Sequence, residues 1–227
     1  MCDTNSGGNE LISRRGISIF GLNCLLLPNV TTAKPHSAST VIGIGRLGNA
    51  VLDRMKGEDA PGTRARLWGV DRVDAPSNAS IRFRSGMRSD PLRRDFSNLR
   101  KELVIEDYVK LKDLVQATNH LILITGIGGM VSNSLTPLFA LYAKLWGINT
   151  TAILTLPFEW EHSRARTALS TAMQITQNVR HTVLLPNEDY EMLGFGDRNL
   201  DECWDYLEDR AYRQVKSHLA RVCSAQP

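Results

Sequence analysis

Leu121–Pro137, LILITGIGGMVSNSLTP, decides how the rest of the chain is read. Leu121–Thr125 is a run of four apolar residues and a threonine, the pattern of a buried strand. Gly126, Gly128 and Gly129 form a glycine-rich turn, and Ser132, Asn133 and Ser134 then lead into an apolar helix with Pro137 in its first turn. A strand that ends in glycines and feeds a helix N-terminus aims backbone N–H groups at one point. That arrangement makes an anion site, most often for phosphate, and the helix dipole adds a favourable field. A second turn of this kind lies at Gly43–Asn49, so two such loops are expected to face one ligand.

Outward from this stretch, strands and helices alternate. Ser39–Gly43 is β-rich, Gly43–Gly48 is a GxGxxG turn, and Asn49–Met55 is a short helix stopped by Gly57. Arg66–Asp71 and Ile81–Phe83 are strand candidates, and a helical region spans about Asp95–Thr118. Beyond Leu121–Thr125 come helix Ser134–Trp146, strand Asn149–Leu156, helix Glu161–Asn178 and strand Thr182–Leu185. A last helix over about Leu200–Val222 carries Trp204, Leu207, Ala211, Val215 and Leu219 at three- and four-residue steps. The alternation predicts a three-layer α/β fold, a mostly parallel Rossmann-like sheet with helices on both faces. Ligands of such sheets sit beyond the C-terminal strand ends, where both glycine turns fall.

Composition bounds the function classes. The chain has 227 residues, enough for one sizeable α/β domain, which is expected over residues 38–227. A hydrophobic content of 42%, a charged content of 22% and a net charge of +3 are ordinary for a soluble protein and give no argument for nucleic acid. Arg82–Lys101 is locally basic, which fits either a solvated segment or a contact with phosphates or an acidic partner. Cys2, Cys24, Cys203 and Cys223 show no metal spacing and suit reduced thiols. No His pair supports a metal site or a nucleophile, and no run has the length of a membrane helix. Met1–Ser37 forms a polar arm with an apolar run, Ile17–Leu27, behind Arg14-Arg15. The expected location is cytoplasmic, with twin-arginine-like export as the alternative.

The Gly43–Gly48 turn admits two readings. With Asp71 at the end of the next strand, it fits a dinucleotide fingerprint in which Asp71 holds a ribose, the reading of an NAD(P)-dependent oxidoreductase. Set beside its neighbours, it resembles something else. Val41–Val51, VIGIGRLGNAV, resembles the first nucleotide loop of the FtsZ/tubulin family. Thr125–Pro137 resembles that family's glycine-rich signature loop, Thr155–Glu161 (TLPFEWE) its TKPFxFE segment, and Leu184–Asp189 (LLPNED) its IPND segment. The four segments keep the family's order over about Ser39–Arg210.

The resemblance implies a GTP- or GDP-binding fold, with Mg2+ accompanying the nucleotide, of the kind used in cell division. It implies that Gly43, Gly45, Gly48 and Asn49 approach the phosphates, with Arg46 neutralising charge. It places Gly126, Gly128 and Gly129 at the start of the signature loop, and Ser132, Asn133 and Ser134 as donors or caps there. Glu161 matches the ribose acid, Asn187 a residue near sugar and base, and Glu208, with Asp209, the guanine-reading pair. The departures weaken the site: over Met130–Ser134 three glycines and both threonines of the signature loop are replaced, Met130 and Val131 carry side chains where phosphate oxygens should lie, and Arg46-Leu47 stands where the family has glycines. In the family, hydrolysis needs an acidic loop from a second domain, which this sequence does not show after its last helix. The expectation is a weak or inactive GTPase, with no catalytic residue of its own, that acts by interaction with a full-length FtsZ-like protein or another protein partner. A nucleotide-free partner-binding domain is the remaining alternative.

Overall fold

The computed structural model describes residues 39–57, 65–72, 79–83, 112–116, 118–192 and 199–224. The N-terminal arm with its apolar run, most of Arg82–Lys101, Cys2 and Cys24 lie outside them, as does the expected helix Asp95–Thr118 apart from the helical residues 112–116 and Thr118.

Six strands form one sheet: β1 (Ser39–Ile44), β2 (Arg66–Arg72), β3 (Ile81–Phe83), β4 (His120–Gly126), β5 (Asn149–Leu156) and β6 (His181–Pro186). Their order is β3-β2-β1-β4-β5-β6, and every neighbouring pair is parallel. The helices are α1 (Gly45–Gly57), α2 (Met130–Leu145), α3 (Ser163–Thr176), the short α4 (Glu188–Met192) and the long α5 (Leu200–Ser224), with a 3-10 turn at Glu159–Glu161. The expected α/β fold is the observed one.

The central strands are covered on both faces, which is why they read as continuous apolar runs. Their side chains alternate between two cores. Ile42, Ile44, Leu121, Leu123, Ala152 and Leu154 pack with Phe139, Ala143, Ala172 and Ile175 of α2 and α3. Val41, Ile122, Ile124 and Ile153 pack with Val51, Leu52, Leu207, Ala211 and Val215 of α1 and α5. The buried Thr125 is tied to backbone: its Oγ1 donates to the Ile44 carbonyl at 2.9 Å, joining β4 to β1.

Two helix starts differ from the sequence expectation. Helix α1 begins at Gly45, inside the glycine turn, because Gly45 takes the left-handed φ of +71° that reverses the chain in one step. Helix α2 begins at Met130, four residues before Ser134. Gly128 at φ +105° and the extended Gly129 complete the turn early. Pro137 therefore lies in the helix interior, where its missing N–H leaves the fourth preceding carbonyl without the usual intrahelical bond.

Candidate functional site

The C-terminal ends of β1, β2, β4 and β5 open onto a cavity of about 490 Å3. The first glycine turn supplies Gly45, Arg46 and Leu47, and the second supplies Gly126, Ile127 and Gly129. Met130, Val131 and Ser132 line it from the first turn of α2. Asp71 closes it at the end of β2, and Thr155 and Pro157 at the end of β5. Arg164, Asn187 and Trp204 complete the wall.

The chemistry of this wall is that of an anion receptor with an aromatic side. Gly129 caps α2 and offers no side chain to its first amides, so the positive end of the helix faces the cavity uncapped. Two cations stand beside it. Arg46 lies over the Trp204 ring at 5.0 Å from the centroid. Arg164 is ion-paired with Glu161 and passes so close to Gly128 that a Cβ there would stand 2.9 Å from Arg164 Cγ. The Asn187 side chain is 8% exposed, and its Oδ1 has no hydrogen-bond partner among the described residues.

Several expected site residues serve this cavity from behind it. Gly43 and Gly48 do not line it. A Cβ on Gly43 would stand 2.3 Å from the Gly48 carbonyl oxygen, and one on Gly48 would stand 2.5 Å from the Ile124 carbonyl oxygen. These glycines let α1 lie directly on β1 and β4. Asn49, 4% exposed, donates from Nδ2 to the carbonyls of Gly45 (2.7 Å) and Val70 (3.2 Å), and so clasps the turn to β2.

The second turn needs a similar correction. Asn133 Oδ1 accepts the Gly128 N–H at 2.8 Å, so Asn133 holds the turn and lies outside the cavity wall. Ser132 and Ser134 are inside the helix and cap nothing: their hydroxyls donate to the Gly129 and Met130 carbonyls at 3.0 and 2.9 Å. Ser132 still borders the cavity, and Ser134 does not.

The two expected acids are also engaged elsewhere. Glu161 sits in the 3-10 turn, accepting the Phe158 N–H on Oε1 at 3.0 Å and pairing with Arg164 through Oε2. Its place is beside the cavity, orienting a cation. Glu208 faces the α1–α5 seam, 3.7 Å from Arg54 Nε. Burial raises the pKa of its carboxyl, while Arg54 pulls it down. Arg164 and Trp204 are among the wall residues that the sequence analysis does not single out as site residues. Arg164 stands three residues after Glu161, the spacing of one helical turn, and that spacing is the signal for it.

At the opposite end of the sheet, His120 opens β4 and meets His218 of α5, with Nε2–Nε2 at 3.1 Å. Thr151 Oγ1 is 2.9 Å from the same His218 nitrogen. Burial first, then His218, His181 and Arg180, lower the His120 pKa to about 4. Burial, Arg221 and His181 lower that of His218. Among the described residues no group of three or more His, Cys, Asp or Glu side chains is placed to hold a metal ion.

No protein-family model matches the chain. It is 31% identical over 159 residues to the cell division protein FtsZ of Neisseria meningitidis, covering 65% of this chain and 38% of that protein. In fold it is similar to an empty FtsZ dimer from M. jannaschii, with a TM-score of 0.66, 22% identity, and coverage of 82% of this chain and 55% of that one. It is also similar to a GTPγS-form protofilament of Bacillus thuringiensis serovar israelensis TubZ, with a TM-score of 0.60, 15% identity, and coverage of 80% and 54%. The chain thus spans about two fifths of the FtsZ sequence it matches and about half of these solved chains. In sequence and in fold alike, this chain carries an FtsZ/tubulin-like α/β domain.

Proposed function

We propose that the cavity binds a guanine nucleotide, GTP or GDP, with its phosphates at the start of α2 and its base against Trp204. The protein then acts by interaction with a partner, at low or no turnover, in the cytoplasm. The observation that carries this reading is the convergence of an uncapped helix N-terminus, Arg46, Arg164 and an aromatic ring on one cavity. Backbone amides and guanidinium groups match phosphate oxygens, and an indole face matches a nucleobase. Asp71, which lines the same cavity and is 4% exposed, is the carboxylate that would hold a Mg2+ accompanying the nucleotide. Met130 and Val131 put side chains beside the phosphate position, so phosphate sits less closely and turnover falls. An FtsZ-like protein is the first partner to test, because the solved folds similar to this one include a dimer and a protofilament.

A dinucleotide is the second reading. It is favoured by Asp71 at the end of β2 and by Gly43 and Gly48, whose close helix–strand packing is also what that motif uses. Thermal unfolding with GTP, GDP, NAD and NADP at millimolar level separates the two. A ligand at 100 times its Kd adds about 2.7 kcal/mol. GTP and GDP are expected to raise the Tm and the dinucleotides to leave it unmoved. A rise with NAD or NADP alone overturns the proposal in favour of the dinucleotide.

A further inference from the structure

We infer that Arg46 makes the base subsite of this cavity conditional on the phosphates. Its guanidinium covers the Trp204 ring and gives that ring up only to a ligand whose phosphate chain draws it away. Base and phosphates then bind cooperatively: the site opens to a nucleotide and resists the bare nucleoside. The inference rests on the nucleotide reading above.

Arg46 is the second residue of α1, and it is exposed. Its Cζ lies over the Trp204 ring, 5.0 Å from the centroid. Among the described residues no hydrogen bond or ion pair holds the guanidinium anywhere else. Trp204 is half-buried and packs against the core that α1 shares with α5, and both side chains line the cavity. The indole is thus backed by the core and covered by Arg46. A cation over an indole face is held by the ring quadrupole, and a base stacking on that face needs the same place. One must leave before the other can settle.

The phosphates supply what moves Arg46. Ile44 and Thr125 are register partners, so the turn that carries Arg46 leaves the sheet beside the second turn and the uncapped start of α2. A polyphosphate held at that helix start puts several negative charges beside a flexible cationic side chain. Bidentate, charge-assisted bonds to phosphate outweigh a cation–π contact at an exposed site. A bare nucleoside brings no charge and must displace the guanidinium by stacking alone. A ligand shifts a two-state side chain only through its differential affinity for the two states, and here the phosphate chain supplies that difference. Arg46-Leu47 stands where the FtsZ/tubulin loop has glycines, so the coupling comes from a residue that this chain adds to the motif.

The test follows Trp204 emission in the full chain, taken as the difference from Trp204→Phe, while inorganic tripolyphosphate is added. Tripolyphosphate is expected to bind by isothermal calorimetry and to shift that emission with no base present. In Arg46→Ala the emission is expected to start shifted and to stay unmoved. Guanosine, followed by saturation-transfer NMR, is expected to bind Arg46→Ala about threefold more tightly than the unaltered protein, because the ring is free. GTP is expected to bind the same variant about tenfold more weakly, so the preference for GTP over guanosine falls about thirtyfold. A thermal melt checks that Arg46→Ala is folded, and the tripolyphosphate titration of the unaltered protein gives an answer without it. Tripolyphosphate that fails to bind, or binds and leaves the Trp204 emission unmoved, overturns the inference. Guanosine affinity that is unchanged or weaker in Arg46→Ala also overturns it, the weaker case putting the base on the guanidinium itself. In each of these outcomes GTP binding to the unaltered protein leaves the nucleotide reading intact. Failure of GTP and GDP alike to bind overturns nucleotide binding itself, and the inference with it.

Discussion

At the scale of single residues, the glycines of the first turn divide by task. Gly43 and Gly48 exist for packing, since a methyl on either would meet backbone atoms that cannot move aside. Gly45 exists for its φ of +71°, and a methyl there would meet nothing within 4 Å. Gly48→Ala is therefore expected to lower the free energy of unfolding by about 1–3 kcal/mol, the usual cost of overpacking. Gly57→Ala, at the open end of α1, is expected to stay within about 0.5 kcal/mol. Urea denaturation of the two variants checks this, and equal midpoints would show that α1 has room to shift. Asn49 belongs to the same account. Asn49→Ala leaves the Gly45 and Val70 carbonyls without their side-chain donor and is expected to cost about 1–3 kcal/mol in the same assay.

At the scale of elements, α5 is fastened near both ends and its titration differs between them. Near its N-terminus, Arg54 gathers three carboxylates. Toward its C-terminus, His218 is paired with His120 and Thr151 on the sheet. His120 is 7% exposed, and burial with the neighbouring positive charge lowers its pKa from the ordinary 6.5 to about 4 on folding. The unfolded chain thus binds the proton more tightly than the folded one. Stability is full above about pH 6.5 and is lost as the pH falls from there toward 4, by up to about 3 kcal/mol. Melting temperatures taken from pH 8 to pH 4.5 are expected to fall below pH 6.5. His120→Phe is expected to flatten that slope, and an unchanged slope would place the titration elsewhere.

At the scale of the whole molecule, the order β3-β2-β1-β4-β5-β6 brings the two glycine turns side by side, because β1 and β4 are neighbours at the centre. Asp71 arrives from β2 on one flank, and Thr155 and Pro157 from the end of β5 on the other. Among the described residues, the lining of the resulting cavity includes the carboxylate of Asp71 and the guanidinium groups of Arg46 and Arg164. The proposed low turnover follows from that set of groups, which suits holding a polyanion better than activating a water at it. With GTP and Mg2+, phosphate release is expected to stay at background whatever the protein concentration. A rate that rises with concentration would show that a second copy completes the site.

The fold is legible in the sequence because its signals are local. Strands of three to eight residues alternate with amphipathic helices, and glycines mark where one gives way to the other. The FtsZ/tubulin resemblance rests on four short segments, and the relatives bear it out. The role of each loop residue is not legible to the same degree. Gly45, Arg46, Gly126, Gly129, Ser132 and Asn187 line the cavity. Gly43, Gly48, Asn49, Gly128, Asn133 and Ser134 stand behind it, since a glycine that admits a ligand and one that admits a helix are identical in sequence. Glu161 and Glu208 are decided by partners on other turns and elements: Arg164 one helical turn on, and Arg54 across the α1–α5 seam. A motif fixes which groups the chain carries. Only the packing of α1 on α5, and of the 3-10 turn against α3, fixes which of those groups face the cavity and which face each other.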